Sequence, residues 1–237
     1  MRRVRTGAPA LRRSVRSPTV SITVEELQVA DTAEAWERAG FAVAGDVCRV
    51  GGLRIRLLGP EAGRGIVGWT LAGLPSGVRI REVDGIATVV APRETDPPAP
   101  ATHPNGVTRL DHVVLMTPDL PRTVSALGGI GLEPRRERDG ELGGVVMRQV
   151  FYRLEDVILE VVGPPEPADG PDAARPARLW GLTHVVDDLD VAVGLLGDLA
   201  GTPKDAVQPG RRITTLRTRE LGMSVRTALI TPHVRTA

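Results

Sequence analysis

The sequence predicts an α+β fold built from repeated βαβββ modules (strand, helix, three strands). Three observations carry this. One pattern recurs along the chain: an apolar run, a turn, a short helical stretch and three valine-rich strands. Two stretches rich in proline and glycine, "APRETDPPAPATHPNG" (91–106) and "GPPEPADGPDAARPAR" (163–178), separate the copies. A hydrophobic content of 41% over 237 residues is enough to build a real core.

The middle copy is the plainest. It opens with "LDHVVLMT", turns at "PDL" and continues through "PRTVSALGG", whose closing glycines suit a helix C-terminus. "LEPRRERD", "GGVVMRQVFYRLE" and "DVILEVVG" follow as strands, rich in valine and aromatic residues and bounded by Gly or Asp. The C-terminal copy repeats the order with "WGLTHVV", "DDL", the helix "DVAVGLLGDLAG", and then "TPKDAVQP", "GRRITTLRT" and "MSVRTALITP". The N-terminal copy is shorter: "VSITVEELQVAD", the helix "TAEAWERAG", and compact strands "FAVAGDV", "CRVGG" and "LRIRLLG". "GIVGWTLAGL" and "VRIREVDGIATVVA" read as strands added after it.

These readings divide the chain into a basic tail (1–19), a degenerate N-terminal βαβββ-like module (20–91), a linker (92–106) and a domain (107–237) of two modules, 109–163 and 178–232. Strand-like patterning begins only near Val20, so the arginine-rich start is either a disordered tail or an over-extended start. It lacks the apolar region a secretory signal requires.

Composition excludes several function classes. Thirty basic residues face 29 acidic ones, and a net charge of +1 gives no broad footprint for nucleic acid. The longest apolar runs fall far short of the roughly 20 residues that span a bilayer. One cysteine, Cys48, allows neither an intrachain disulfide nor a cysteine-rich zinc site, and the expected compartment is cytoplasmic. "GGIGLEP" places its glycines after a helix, whereas a phosphate cradle needs them between strand and helix. His103, in the linker, and His233 are expected to be solvent-exposed.

The stretches "LDHVVLMTPDL", "GGIGLEPRR" and "DVILEVVGP", with the weaker copy from Trp180 onward, resemble the vicinal oxygen chelate superfamily, which contains glyoxalase I, bleomycin-resistance proteins and extradiol dioxygenases. The resemblance implies paired modules forming a curved mixed-sheet cup. In its metal-dependent members a histidine on a module's first strand and a carboxylate on the last hold a divalent cation. Carried onto this chain, the first-strand position is His112 and the last-strand position is Glu160. The other copies lack the pair: the alignment sets Gly181 and Arg226 against them in the C-terminal copy, and Val24 and Arg56 in the N-terminal one. His184, three residues from Gly181, falls on the opposite face of its strand.

The resemblance therefore implies one divalent metal ion whose ligand set, His112 and Glu160, is incomplete within one chain. A homodimer that apposes two middle modules is one way to complete it. His112 is either such a ligand or a hydrogen-bonding pocket residue. Glu160, flanked by Ile158, Leu159, Val161 and Val162, needs a partner because burying a lone charge is costly. Without a metal it serves as a catalytic base whose pKa burial raises. Arg226, Tyr152 and Gln149 are the candidate substrate-binding residues: an arginine to grip an anion and two polar handles in the pocket. Arg148 and Arg153, five apart on one strand, lie on opposite faces, so at most one lines the cup. The function expected is binding of a small organic molecule, with metal-assisted lyase, isomerase or dioxygenase chemistry upon it. The alternative is a metal-free binding or sequestering protein without catalysis.

Overall fold

The structure is a computed structural model that describes residues 21–94, 99–142, 144–167 and 170–233. The basic stretch expected at 1–19 and residues 95–98 of the linker lie outside the described residues. Strands β1 (Thr23–Val29), β2 (Val43–Ala44), β3 (Val47–Val50) and β4 (Leu53–Leu57), with helix α1 (Ala33–Arg38) after β1, make the first module. Strands β5 (Ile66–Ala72), β6 (Glu82–Val83) and β7 (Ile86–Val90) complete a seven-stranded sheet in the order β2-β3-β4-β1-β5-β7-β6. β5 runs antiparallel to β1, and β7 runs parallel to β5 as β4 does to β1. The strands that read as additions thus form a second, reduced module opposite the first.

The remaining chain repeats this plan in full. β8 (Val107–Met116), α2 (Leu120–Gly129), β9 (Arg136–Leu142), β10 (Val145–Leu154) and β11 (Val157–Gly163) form one module. The other comprises β12 (Arg178–Val186), α3 (Leu189–Leu196), β13 (Lys204–Asp205), β14 (Arg212–Thr215), α4 (Thr218–Leu221) and β15 (Arg226–Ile230). They share an eight-stranded sheet, β13-β14-β15-β12-β8-β11-β10-β9, joined by the antiparallel pair β8 and β12. The fold is α+β and glyoxalase-like, with each curved sheet concave on one face.

The turns that recur in the sequence are helix starts. Asp119 accepts the backbone N–H of Arg122 at 2.9 Å, and Asp188 accepts those of Asp190 at 2.9 Å and Val191 at 3.1 Å. Each carboxylate satisfies N–H groups that a helix leaves unpaired at its N-terminus. Helices and sheets bury alternating strand residues between them: Val113, Leu115, Val150, Leu154, Leu159 and Val161 on one side of the second sheet, Leu27, Val29, Ile55 and Trp69 in the first. The other faces of β8, β10 and β11 are left to form the cup.

The two sheets are fastened to each other by buried polar groups. Asp31, after β1, accepts the Trp36 indole N–H at 3.1 Å and the backbone N–H of Ser224 at 2.6 Å. Asn105 is fully buried: its amide donates to the Ala39 carbonyl at 2.8 Å and its oxygen accepts the Val107 N–H at 3.1 Å. His103, expected in solvent, is also buried, with Nδ1 accepting the Ala42 N–H at 3.0 Å and Nε2 at 2.9 Å from the Arg49 carbonyl. The end of the linker is therefore packed, because it holds the two sheets in place. His233 is exposed. No helix among the described residues is long and apolar enough to cross a membrane.

Candidate functional site

The concave face of the second sheet encloses a cavity of about 810 Å³, next to another of about 510 Å³. The strand register decides what faces it. In β8 the alternation of side chains is interrupted opposite β12: Thr183 pairs with His112 and His184 with Leu110, which leaves Asp111 as an extra residue. This is a β-bulge, and it re-aims side chains. Asp111 and His112 can both reach the cup, with Val114 and Met116 following on the same face.

Asp111 Oδ2 lies 2.9 Å from His112 Nδ1, and Asp111 Oδ1 accepts an Arg211 N–H at 2.7 Å. Arg211 is buried and is fixed further by the Thr231 carbonyl at 2.8 Å. Burial pushes the Asp111 carboxyl upward, but the hydrogen bonds and charges of His112 and Arg211 hold it well below the usual carboxylate range. Asp111 thus stays an anion, accepts a hydrogen bond from His112 Nδ1–H and leaves Nε2 turned into the cup.

Nε2 stands 3.8 Å from Glu160 Oε2. That is too long for a hydrogen bond, so both groups keep capacity for a ligand. The other carboxyl oxygen, Oε1, accepts the Gln149 amide at 2.6 Å, and Gln149 in turn accepts Arg138 Nε at 2.7 Å. Burial raises the Glu160 carboxyl above its ordinary range, against the opposing charges of His112 and Arg138 and the Gln149 hydrogen bond. One polar chain, Arg211–Asp111–His112, faces another, Glu160–Gln149–Arg138, across the gap.

Of the residues singled out in the sequence, His112, Glu160 and Gln149 come together here. Tyr152 does not. It borders the cavity, but between Phe151 and Arg153, which line the cup, alternation turns its side chain toward the core, where it is 1% exposed. Its hydroxyl has no hydrogen-bond partner among the described residues, and burial pushes its pKa up to about 12. Arg153 lines the cavity while Arg148 faces the other way and pairs with Asp139 at 2.7 Å.

Arg226 also needs correcting. β11 sets Ile158 against His112 and Glu160 against Val114, whereas β15 sets Arg226 against Gly181 and Ala228 against Thr183. The structural counterpart of Glu160 is therefore Ala228, and Arg226 corresponds to Ile158. Counting from the turn misplaced it because β14 and β15 are joined through α4, whereas a tight turn joins β10 to β11. Arg226 lies outside the larger cavity, with its guanidinium 5.0 Å from the centre of the Trp180 ring. Sequence reading missed Asp111, Arg211 and Arg138. Only Asp111 left a signal, as two consecutive polar residues inside an apolar strand.

A divalent metal does not fit the donors present. An open catalytic site uses three protein ligands, and His112 with Glu160 supplies two. The counterpart positions across the cup are Gly181 and Ala228, and Asp111 is engaged by Arg211 and His112. No group of three His, Cys, Asp or Glu placed to hold an ion occurs among the described residues. His184 is no substitute. It is buried on the far face against Phe41, ring centroids 5.1 Å apart, and Trp36 at 6.3 Å.

No protein-family model matches the sequence, and no curated protein sequence matches it either. Solved structures do match the fold. A mutant of 4-hydroxymandelate synthase from Streptomyces coelicolor superposes with a TM-score of 0.61 and 16% identity, covering 93% of this chain and 94% of that one. A xylose isomerase-like TIM barrel/4-hydroxyphenylpyruvate dioxygenase fusion protein gives 0.61 and 16%, over 97% of this chain and 52% of that chain, so this chain spans about half its length. With two sheets, each joined through the antiparallel first strands of its modules, the chain has the fold of the vicinal oxygen chelate superfamily.

Proposed function

We propose that the protein binds a small organic molecule in the cup of its second sheet and moves a proton on it, with His112 as base and Glu160 as acid. The observation that supports this is the pair His112 Nε2 and Glu160 Oε2, 3.8 Å apart at the edge of a cavity large enough for a metabolite. A C–H or O–H proton of the ligand passes to Nε2, and the imidazolium formed is stabilised by the Asp111 carboxylate on Nδ1. Glu160, held toward its protonated form by burial, returns a proton at a second atom of the ligand. The net change is an isomerisation, or an elimination where a leaving group takes the second proton. Gln149 and Arg138 are positioning residues that orient the Glu160 carboxyl.

The test needs no prior substrate. The protein is incubated with a metabolite extract in D₂O, and mass spectrometry follows compounds that gain deuterium. Incorporation that requires the protein and disappears in both His112→Ala and Glu160→Gln is expected. Incorporation unaffected by either variant would remove these residues from the chemistry. Compounds retained by the protein without any incorporation would favour a binding protein.

A further inference from the structure

We propose that the ligand of the cup carries an oxyanion, a carboxylate or a phosphate, gripped by Arg135 and Arg153 with Lys204 opposite. This names the ligand class of the site proposed above and so rests on that reading. The cavity is lined by six cations, Arg135, Arg136, Arg138, Arg153, Lys204 and Arg211, against the three acids Asp111, Glu160 and Asp205. Asp111 and Arg211 cancel each other through their 2.7 Å pair. Glu160 offsets at most one charge. Asp205 offsets one charge more. A positive excess remains inside a concave wall, where low-dielectric surroundings strengthen its field.

Several arginines outside the cup are held by acids. Arg54 and Arg56 close on Glu26 at 3.2 and 3.1 Å, and Arg122 on Asp84 at 2.6 Å. The contrast is sharpest within β10. Arg148 points away from the cup and is paired with Asp139, while Arg153 points into it and has no acid partner among the described residues. Arg135, Arg136, Arg138 and Lys204 likewise have no acid partner among the described residues. Arg136 and Arg138 are engaged by an aromatic ring instead, their guanidinium carbons lying 5.9 and 5.8 Å from the centre of Phe151. Arg135 and Arg153 are the exposed guanidiniums left over, and a guanidinium fork matches the geometry of a carboxylate or phosphate. An anion held there would sit beside the His112–Glu160 gap, with its reacting atoms directed between the two.

The test is titration calorimetry of the full chain at low ionic strength with three probes: inorganic phosphate, succinate, and neutral succinamide. Phosphate or succinate is expected to bind and succinamide not, and the stronger of the two anions identifies the group. The Arg135→Gln/Arg153→Gln double variant should weaken binding at least tenfold, and Arg148→Gln, on the opposite face, should leave it within twofold. Equal binding by the double variant, binding of succinamide as tight as that of the anions, or no anion binding at all would each overturn the proposal. Anion binding that depends on the two arginines, in a protein that incorporates no deuterium, would support the oxyanion site while sinking the proton-transfer reading. Deuterium incorporation without anion binding would do the reverse.

Discussion

Asp111 and His112 are neighbours in sequence, yet their side chains meet, Oδ2 to Nδ1, at 2.9 Å. In a regular strand they would point to opposite faces. The bulge opposite Thr183 and His184 brings them together, and Arg211 secures the arrangement from the buried side. The site's central dyad is thus a consequence of one extra residue in β8.

Because Asp111 and Arg211 are buried at 3% and 1% side-chain exposure, removing one leaves the other an uncompensated charge. Asp111→Ala is expected to cost about 3–5 kcal/mol. Replacing both, Asp111→Ala with Arg211→Met, should recover much of that loss while activity stays absent, since His112 has lost the group that fixes its tautomer. Urea denaturation of the two single variants and the double gives the coupling directly. Additive losses would mean that the pair does not act as a unit.

Glu160 must be protonated to act as the acid, so the rate should fall as pH rises through its raised pKa. The Gln149 amide donates to the carboxylate and favours its charged form. Gln149→Leu removes that donor and should move the alkaline limb of the pH–rate profile to higher pH. In Glu160→Gln the limb should vanish together with most of the rate, by about a hundredfold or more. A limb that stays put in Gln149→Leu would assign it to another group.

The modules were legible because their signal is local: apolar alternation, Asp before each helix, and glycine or proline at the turns. The reach of the repeat was not. β5–β7 lack a helix, so the second half of the first sheet read as additions. His112, Glu160 and Gln149 could be placed from one clean module. Arg226 was placed two residues off because α4 interrupts the turn from which it was counted. Arg211 and Asp111 are 100 positions apart, and no local pattern links a core arginine to a distant bulge. Tyr152 shows the limit of type-based reasoning: a strand aromatic with a polar tip suits a pocket or a core, and only the face it occupies decides.

His184 makes the fold acid-sensitive. It is fully buried against Trp36 and Phe41, neither ring nitrogen has a partner among the described residues, and burial lowers its pKa to about 3. The unfolded chain takes up a proton near the ordinary value of about 6.5, and the folded chain does not until about 3. Between these values the unfolded state binds more protons, so stability falls as pH falls, approaching tenfold in the folding equilibrium per pH unit. Denaturation midpoints measured from pH 7.5 to 4.5 should show the slope, and His184→Phe should flatten it. An unchanged slope in the variant would place the acid sensitivity elsewhere.

The missing metal donors can be supplied by design, which tests the pairing of the modules. Gly181 is the counterpart of His112, and Ala228 that of Glu160, by the registers of β12 with β8 and with β15. Gly181→His with Ala228→Glu would set four donors around the cup, two from each module. A side chain at 181 is crowded, since its Cβ would lie 3.0 Å from the Arg226 carbonyl oxygen and 3.3 Å from the Arg226 Cβ. A loss of about 1–3 kcal/mol in stability is therefore expected. Elemental analysis after incubation with zinc and dialysis should find near-stoichiometric metal in this variant and far less in the unaltered chain. Further replacement of His112 by Ala should lower it again, because it removes one of the four donors. Equal metal in the variant and the unaltered chain would show that the four positions do not converge, and with that the correspondence of Gly181 to His112 and of Ala228 to Glu160 would fall.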